Sequence, residues 1–227
     1  AGLSRRFGAG LRQAMDRAIV AAGGAAKFAG MKAYFEKTIL DAKIQGMDLT
    51  FTIEKTVSYP DKVHTVQKTP FGNMTSVVAG DIGWADSPRG KQDMPADDLA
   101  KAREELRTDM VGIMREPGAF TFQALEPKDV DGKATLPVYV TGVGEDYRII
   151  YFSAETGLPL LVEQPGTSPM SGAPVTQKAY IDEYATFGGF TMPKAMRLVF
   201  DDEEFAKGRI ETFTVNPKVD PALFTKK

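Results

Sequence analysis

The chain has 227 residues, 43% of them apolar, enough to fill a core without disulfides or metals. It contains no cysteine, which excludes disulfide frameworks, thiolate metal sites and cysteine nucleophiles. Its 28 basic and 30 acidic side chains are interspersed to a net charge of −2, unlike the basic face of a nucleic-acid binder.

In chain order, the opening AGLSRRFGAG holds no hydrophobic leader core. Removal of a leader and origin inside a longer protein both fit that observation. No apolar run approaches the roughly 20 residues of a membrane span, so no transmembrane segment is expected. Leu11, Met15, Ile19 and Ala22 recur at helical spacing and predict a helix from Leu11 to Ala22, stopped by Gly23-Gly24. A short helical turn over Ala25–Phe28 ends at Gly30. The next clear pattern begins at Leu49, where Leu49, Phe51, Ile53 and Val57 alternate with Thr50, Thr52, Glu54 and Thr56 as in a strand with one dry face. Turns at Tyr59–Lys62 and Pro70–Asn73 then separate strands at Val63–Lys68, Met74–Ala79 and Asp81–Ala85, the last carrying the only tryptophan, Trp84. Such tight turns predict an antiparallel meander.

Asp97 or Asp98 caps a predicted second helix with Leu99, Ala102, Leu106, Met110 and Met114 on one stripe, ended by Pro117-Gly118. The two-residue period then returns, giving strands Phe120–Leu125, Ala134–Thr141, Tyr147–Ser153, Leu158–Glu163, Val175–Phe187, Met192–Phe200 and Arg209–Val215. Asp131-Gly132, Gly144-Glu145, Thr156-Gly157 and Gly188-Gly189 mark turns, and Gln164–Pro174 is predicted as the long loop. No point shows one core ending and another beginning, so one domain over 1–227 is expected. Leu136, Val138 and Val140, with Ile150 and Phe152, share their strands with Tyr139, Ile149 and Tyr151, so both faces are apolar. A covered core and a cavity for an apolar guest both meet that pattern.

Chemistry-bearing residues are sparse. His64 is the only histidine, lies mid-strand, and no Gly-x-Ser-x-Gly elbow accompanies it. Asp129, Asp131 and Gly132 match only part of a calcium loop, lacking its third ligand and terminal Glu. The run Asp201–Glu204 reads as a solvated hairpin tip, and Glu104 and Glu105 as the wet side of a helix. Gly8-Ala9-Gly10 follows no strand, so it fails the context of a dinucleotide fingerprint. No metal, cofactor or catalytic residue is assigned.

Several phrases resemble the LolA/LolB-like superfamily of outer-membrane lipoprotein-sorting domains. They are the helix Met15–Phe28 with its AAGGAAKF end, Gly80-Asp81-Ile82-Gly83-Trp84, YRIIYFSAETGLPLLVEQ over Tyr147–Gln164, and Gly189-Phe190-Thr191-Met192-Pro193. The closing Val215-Asn216-Pro217 before Asp220-Pro221-Ala222-Leu223-Phe224 completes the likeness, which covers nearly the whole chain. These phrases mark strands and turns and are not catalytic signatures. The resemblance implies an α+β fold: a strongly curved antiparallel sheet, a half-barrel, with helices covering its concave face. It further implies a non-catalytic, periplasmic or otherwise extracytoplasmic domain that binds hydrophobic or amphiphilic ligands such as lipid or lipoprotein acyl chains. Together with the two-faced strands and the methionine stripe, it nominates Phe51, Ile53, Val57, Met110, Met114, Val138, Val140, Ile150, Phe152 and Leu160 as ligand-lining residues. Similar domains also stand behind insulinase-type zinc peptidases, so an accessory domain of such a secreted peptidase is the alternative, with the parent peptidase as protein partner. The peptidase motif His-x-x-Glu-His is absent, since Thr65-Val66-Gln67 follow His64, and no lipobox cysteine is present.

Overall fold

A computed structural model describes residues 13–142, 147–168 and 171–226. Four α-helices are seen among them: α1 over 13–22, α2 (Ala25–Ala29), α3 (Ala96–Thr108) and α4 (Met110–Arg115). The first strands are β1 (Ala33–Ile44), β2 (Met47–Ser58), β3 (Lys62–Thr69), β4 (Gly72–Ala79), β5 (Ile82–Ser87) and β6 (Gly90–Asp93). After α4 come β7 (Thr121–Ala124), β8 (Lys128–Val130), β9 (Lys133–Thr141), β10 (Arg148–Ser153) and β11 (Pro159–Thr167). The chain closes with β12 (Pro174–Phe187), β13 (Phe190–Phe200) and β14 (Glu203–Val215).

All these strands pair antiparallel in a single open, curved sheet ordered β6-β5-β4-β3-β2-β1-β14-β13-β12-β11-β10-β9-β7, with β8 on β9. The first and second meanders are thus joined where β1 meets β14, at the middle of the sheet. The helices cover the concave face. Met15, Ala18, Ile19 and Ala22 of α1 are all buried there, as helical spacing requires. Gly23 ends α1 at φ +137°, and any side chain on it would lie 3.0 Å from the Gly189 carbonyl, so the stop also permits close approach to the β12–β13 turn. Phe28 of α2 sets its ring edge-on to Phe190 there, with centroids 5.1 Å apart.

The two apolar faces of β9 and β10 have separate explanations. Val138, Val140, Ile150 and Phe152 join the helix-covered core, whereas Tyr151 packs with Val130 and Leu161 on the outer face. There the Lys128 ammonium and the Arg197 guanidinium lie over the Tyr151 and Tyr180 rings, 5.8 and 4.8 Å from the centroids. Another outer cluster seats Phe224 of the C-terminal turn Pro221–Phe224 against Val77 and Trp84.

Several sequence expectations are corrected. β1 has no counterpart in the periodicity reading, because each of its faces mixes apolar with charged residues: Tyr34, Glu36 and Leu40 on one, Phe35, Lys37 and Ile39 on the other. β6 and β8 are too short to show a period. The helix expected to run from Asp97 through Met114 is broken at Asp109, whose backbone is extended (φ −65°, ψ 166°) and whose carboxylate caps α4 instead. Its first part starts at Ala96 behind Pro95, so Asp97 and Asp98 sit within the first turn, where the helix dipole favours them, and neither caps it. The long loop shrinks, because β11 continues to Thr167 and β12 starts at Pro174; β14 likewise starts at Glu203 and not at Arg209. Leu11, Gly8–Gly10 and the Gly144-Glu145 turn lie outside the described residues.

Candidate functional site

The concave face has two parts, and the nominated lining residues divide between them. Val57, Met110, Met114, Val138, Val140, Ile150 and Phe152 all come together in the helix-covered core. Met110 and Met114 of α4, with Met192 and Leu158 of the sheet side, line an apolar crevice of only about 20 Å³ beside Ala22. Flexible thioethers line it, and a space of that size is too small for an acyl chain. Leu160 instead packs in the outer-face cluster, displaced by the irregular register where Phe152 pairs with Pro159.

Phe51 and Ile53 lie elsewhere. Along the β1–β2 pair, Tyr34 faces Val57, Glu36 faces Lys55, Thr38 faces Ile53 and Leu40 faces Phe51. The period of two places all of these on the concave side with Tyr34 and Val57. Gly208 of β14 extends the wall, since its missing side chain leaves room for Met196 at 3.0 Å and Leu40 at 3.6 Å. Leu198 follows on the same face, two residues beyond Met196 on β13. Leu40, Phe51, Ile53 and Leu198 are only partly buried and belong to none of the three apolar clusters. The concave wall therefore continues, oily, past the region the helices fill.

A charged belt separates the two parts. The Asp109 carboxylate accepts from the Gly112 amide at 2.7 Å, the Tyr34 hydroxyl at 3.1 Å and the Lys55 ammonium at 3.2 Å. Lys55 also lies 5.6 Å over the Tyr34 ring centroid and pairs across strands with Glu36, whose carboxylate accepts from the Thr38 hydroxyl at 3.1 Å. Burial, reinforced by Asp109, pushes the Tyr34 hydroxyl well above the ordinary tyrosine range, and burial likewise raises Glu36. For Lys55, burial pulls the other way, but the Asp109 and Glu36 carboxylates outweigh it and hold the ammonium above its usual value. Tyr34 thus stays a donor and Lys55 a cation. The group clasps α4 to the sheet and contains no activated nucleophile. Sequence reasoning missed it. Its one readable signal was Asp109 within an apolar stripe, three residues before a glycine, which fits a second N-cap.

His64 lies on the outer face, half-buried between Thr56 and Val77 of the flanking strands, and burial lowers its pKa. Asp131 occupies a tight turn at φ 48° and accepts from Arg197 at 2.7 Å. Among the described residues no three His, Asp or Glu side chains are grouped to hold a metal ion, and no helix is long and apolar enough to cross a membrane.

No family model matches the chain, and no curated protein matches it. Solved structures do. A LolA superfamily protein from Nitrosomonas europaea superposes with a TM-score of 0.63 at 11% identity, over 95% of this chain and 97% of that one. A DUF1329 family protein from Desulfovibrio piger gives 0.62 at 10% identity over 95% and 97%. A domain described as outer-membrane lipoprotein-sorting, from Vibrio parahaemolyticus, gives 0.55 at 8% identity over 92% and 97%. At such identities the likeness is one of fold.

Proposed function

We propose that the chain is a non-catalytic, extracytoplasmic binding protein for an elongated apolar or amphiphilic ligand, such as an acyl chain, received along the uncovered part of the concave wall. The observation that carries this reading is the partly exposed row Leu40, Phe51, Ile53 and Leu198, which continues the core's apolar face where the core itself has ended. Contiguous apolar surface of that kind is costly to leave in water and marks a binding surface in soluble proteins. The fold likeness to a LolA superfamily protein and to a lipoprotein-sorting domain supports the same class of ligand and the same side of the membrane. Nothing in the clasp is poised for acid–base or nucleophilic work, since Tyr34 and Lys55 both keep their protons.

Titration of a fluorescent long-chain fatty acid tests this. Saturable binding at micromolar protein is expected, weakened about tenfold or more by Phe51→Asp, which places a charge in the oily wall. A linear, non-saturating signal in the unsubstituted protein would dispose of the reading.

A further inference from the structure

A different site lies at the other end of the sheet. Between α3, α4 and the turn joining β2 to β3 is a cleft of about 390 Å³, lined by Arg103, Arg107 and Arg115 with Leu106 and Phe120. Phe51 and Ser58 are seven residues apart along β2, about 23 Å at the usual rise, and Tyr59 follows Ser58 directly, so this cleft is separate from the open wall. Arg103 and Arg107 stand one helical turn apart on α3. Arg115 is held in place: its guanidinium stacks 4.1 Å over the Tyr59 ring, and its Nε donates to the Met31 carbonyl at 3.1 Å. Its Nη1 donates to Glu116 at 2.7 Å. Among the described residues Arg103 pairs only with Asp81, whose carboxylate is 93% exposed and therefore weakly binding. No ion-pair partner of Arg107 is found among the described residues. Asp61 and Glu116 also line the cleft, so its three guanidiniums exceed its carboxylates by one. Leu106 is buried in the main core and Phe120 packs against it, which gives the cleft an apolar side next to its cationic one.

We propose that this cleft binds an organic anion, a phosphate or carboxylate group carrying an apolar body. The anion would take the planar donors of Arg107 and Arg103 in paired fashion, while the pre-stacked Arg115 fixes its orientation and the apolar body rests on Leu106 and Phe120. A free organophosphate and a lipid phosphate headgroup present the same chemistry, and the experiment separates them.

The full chain is titrated calorimetrically with phenyl phosphate, and separately by sedimentation with vesicles of phosphatidylcholine containing phosphatidic acid. Saturable, salt-sensitive binding of one or both probes is expected, with affinity lowered about tenfold by Arg107→Gln and similarly by Arg103→Gln. Phe51→Asp leaves phenyl phosphate binding unchanged, so failure of the apolar-wall reading and failure of this one are told apart. Binding of phenyl phosphate assigns a soluble anion, and binding of the vesicles alone assigns a headgroup; both uphold the site. Arg107 is exposed, so its replacement keeps the thermal transition of the unsubstituted protein. If neither probe binds, or if both arginine variants bind as the unsubstituted protein does, the proposal is overturned.

Discussion

The two halves of the concave wall are built from the same strands and the same face, yet they meet opposite fates. Where Tyr34 faces Val57, both side chains are 1% exposed or less, and helices supply the other side of the contact. Six residues along β1, where Leu40 faces Phe51, the sheet is equally apolar and only partly covered. The boundary is the Glu36–Lys55 pair with Asp109, and it falls where α4 begins. Apolar content therefore does not decide which half is core. The anchoring of the helices does, and the ion pair of Lys55 with Asp109 stands at the boundary. That arrangement separates stability, which belongs to the covered half, from binding, which we assign to the open half.

Paired substitutions put that separation to the strongest trial. Phe28→Ala removes a ring that is fully buried between α2 and Phe190, and should lower stability by about 3–5 kcal/mol in urea unfolding. Phe51→Ala should cost about 1 kcal/mol or less, because its ring already meets solvent, while weakening fatty-acid binding severalfold. Equal losses of stability at the two positions would break the distinction between plugged and open halves. Asp109→Ala ranks between them. It removes the N-cap of α4, frees the Tyr34 hydroxyl and strands the Lys55 ammonium, for an expected loss of about 2–3 kcal/mol in the same assay. Asp109→Asn keeps a capping oxygen and should recover part of that loss.

The fold was legible wherever one physical cause dominated the pattern. β2 and β9 to β13 announce themselves because turns bound them and an alternating or doubly apolar run fills them. β1 does not, although it lies at the middle of the sheet beside β14: its concave side passes from core (Tyr34) to clasp (Glu36) to open wall (Leu40) within seven residues. Its hydrophobicity follows three environments and has no single period. The break at Asp109 was hidden for a related reason. Met110 and Met114 continue the stripe of α3 in sequence, and only the capping bond to Gly112 shows that a new helix starts. Of the nominated lining residues, the strand pattern correctly placed Phe51 and Ile53 beside each other on a face. Which half of that face is filled depends on helices far away in sequence, so no local pattern carries it. Leu160 packs with the outer-face cluster beside a register irregularity, and such an irregularity leaves no mark in composition.

The smallest expected effect is a control on the whole comparison, because it arises on the outer face. Burial holds the pKa of His64 below its ordinary value of 6.5. The unfolded chain therefore binds more protons than the folded one once pH falls to that region, so His64 contributes stability above about pH 6.5 that is lost as pH drops through its lowered folded value. Glu36 works in the opposite sense: its raised pKa makes the folded state hold a proton longer, so its contribution is present below the ordinary value of 4.5 and lost as pH rises through the raised one. Subtracting the pH–stability profile of His64→Gln from that of the unsubstituted protein isolates the histidine. A shallow loss toward acid, removed by His64→Gln and untouched by Phe51→Ala, is the expected result. If Phe51→Ala flattened that slope instead, the open wall would be coupled to the outer face of the sheet, and stability and binding would not be divided along the line that Glu36, Lys55 and Asp109 draw.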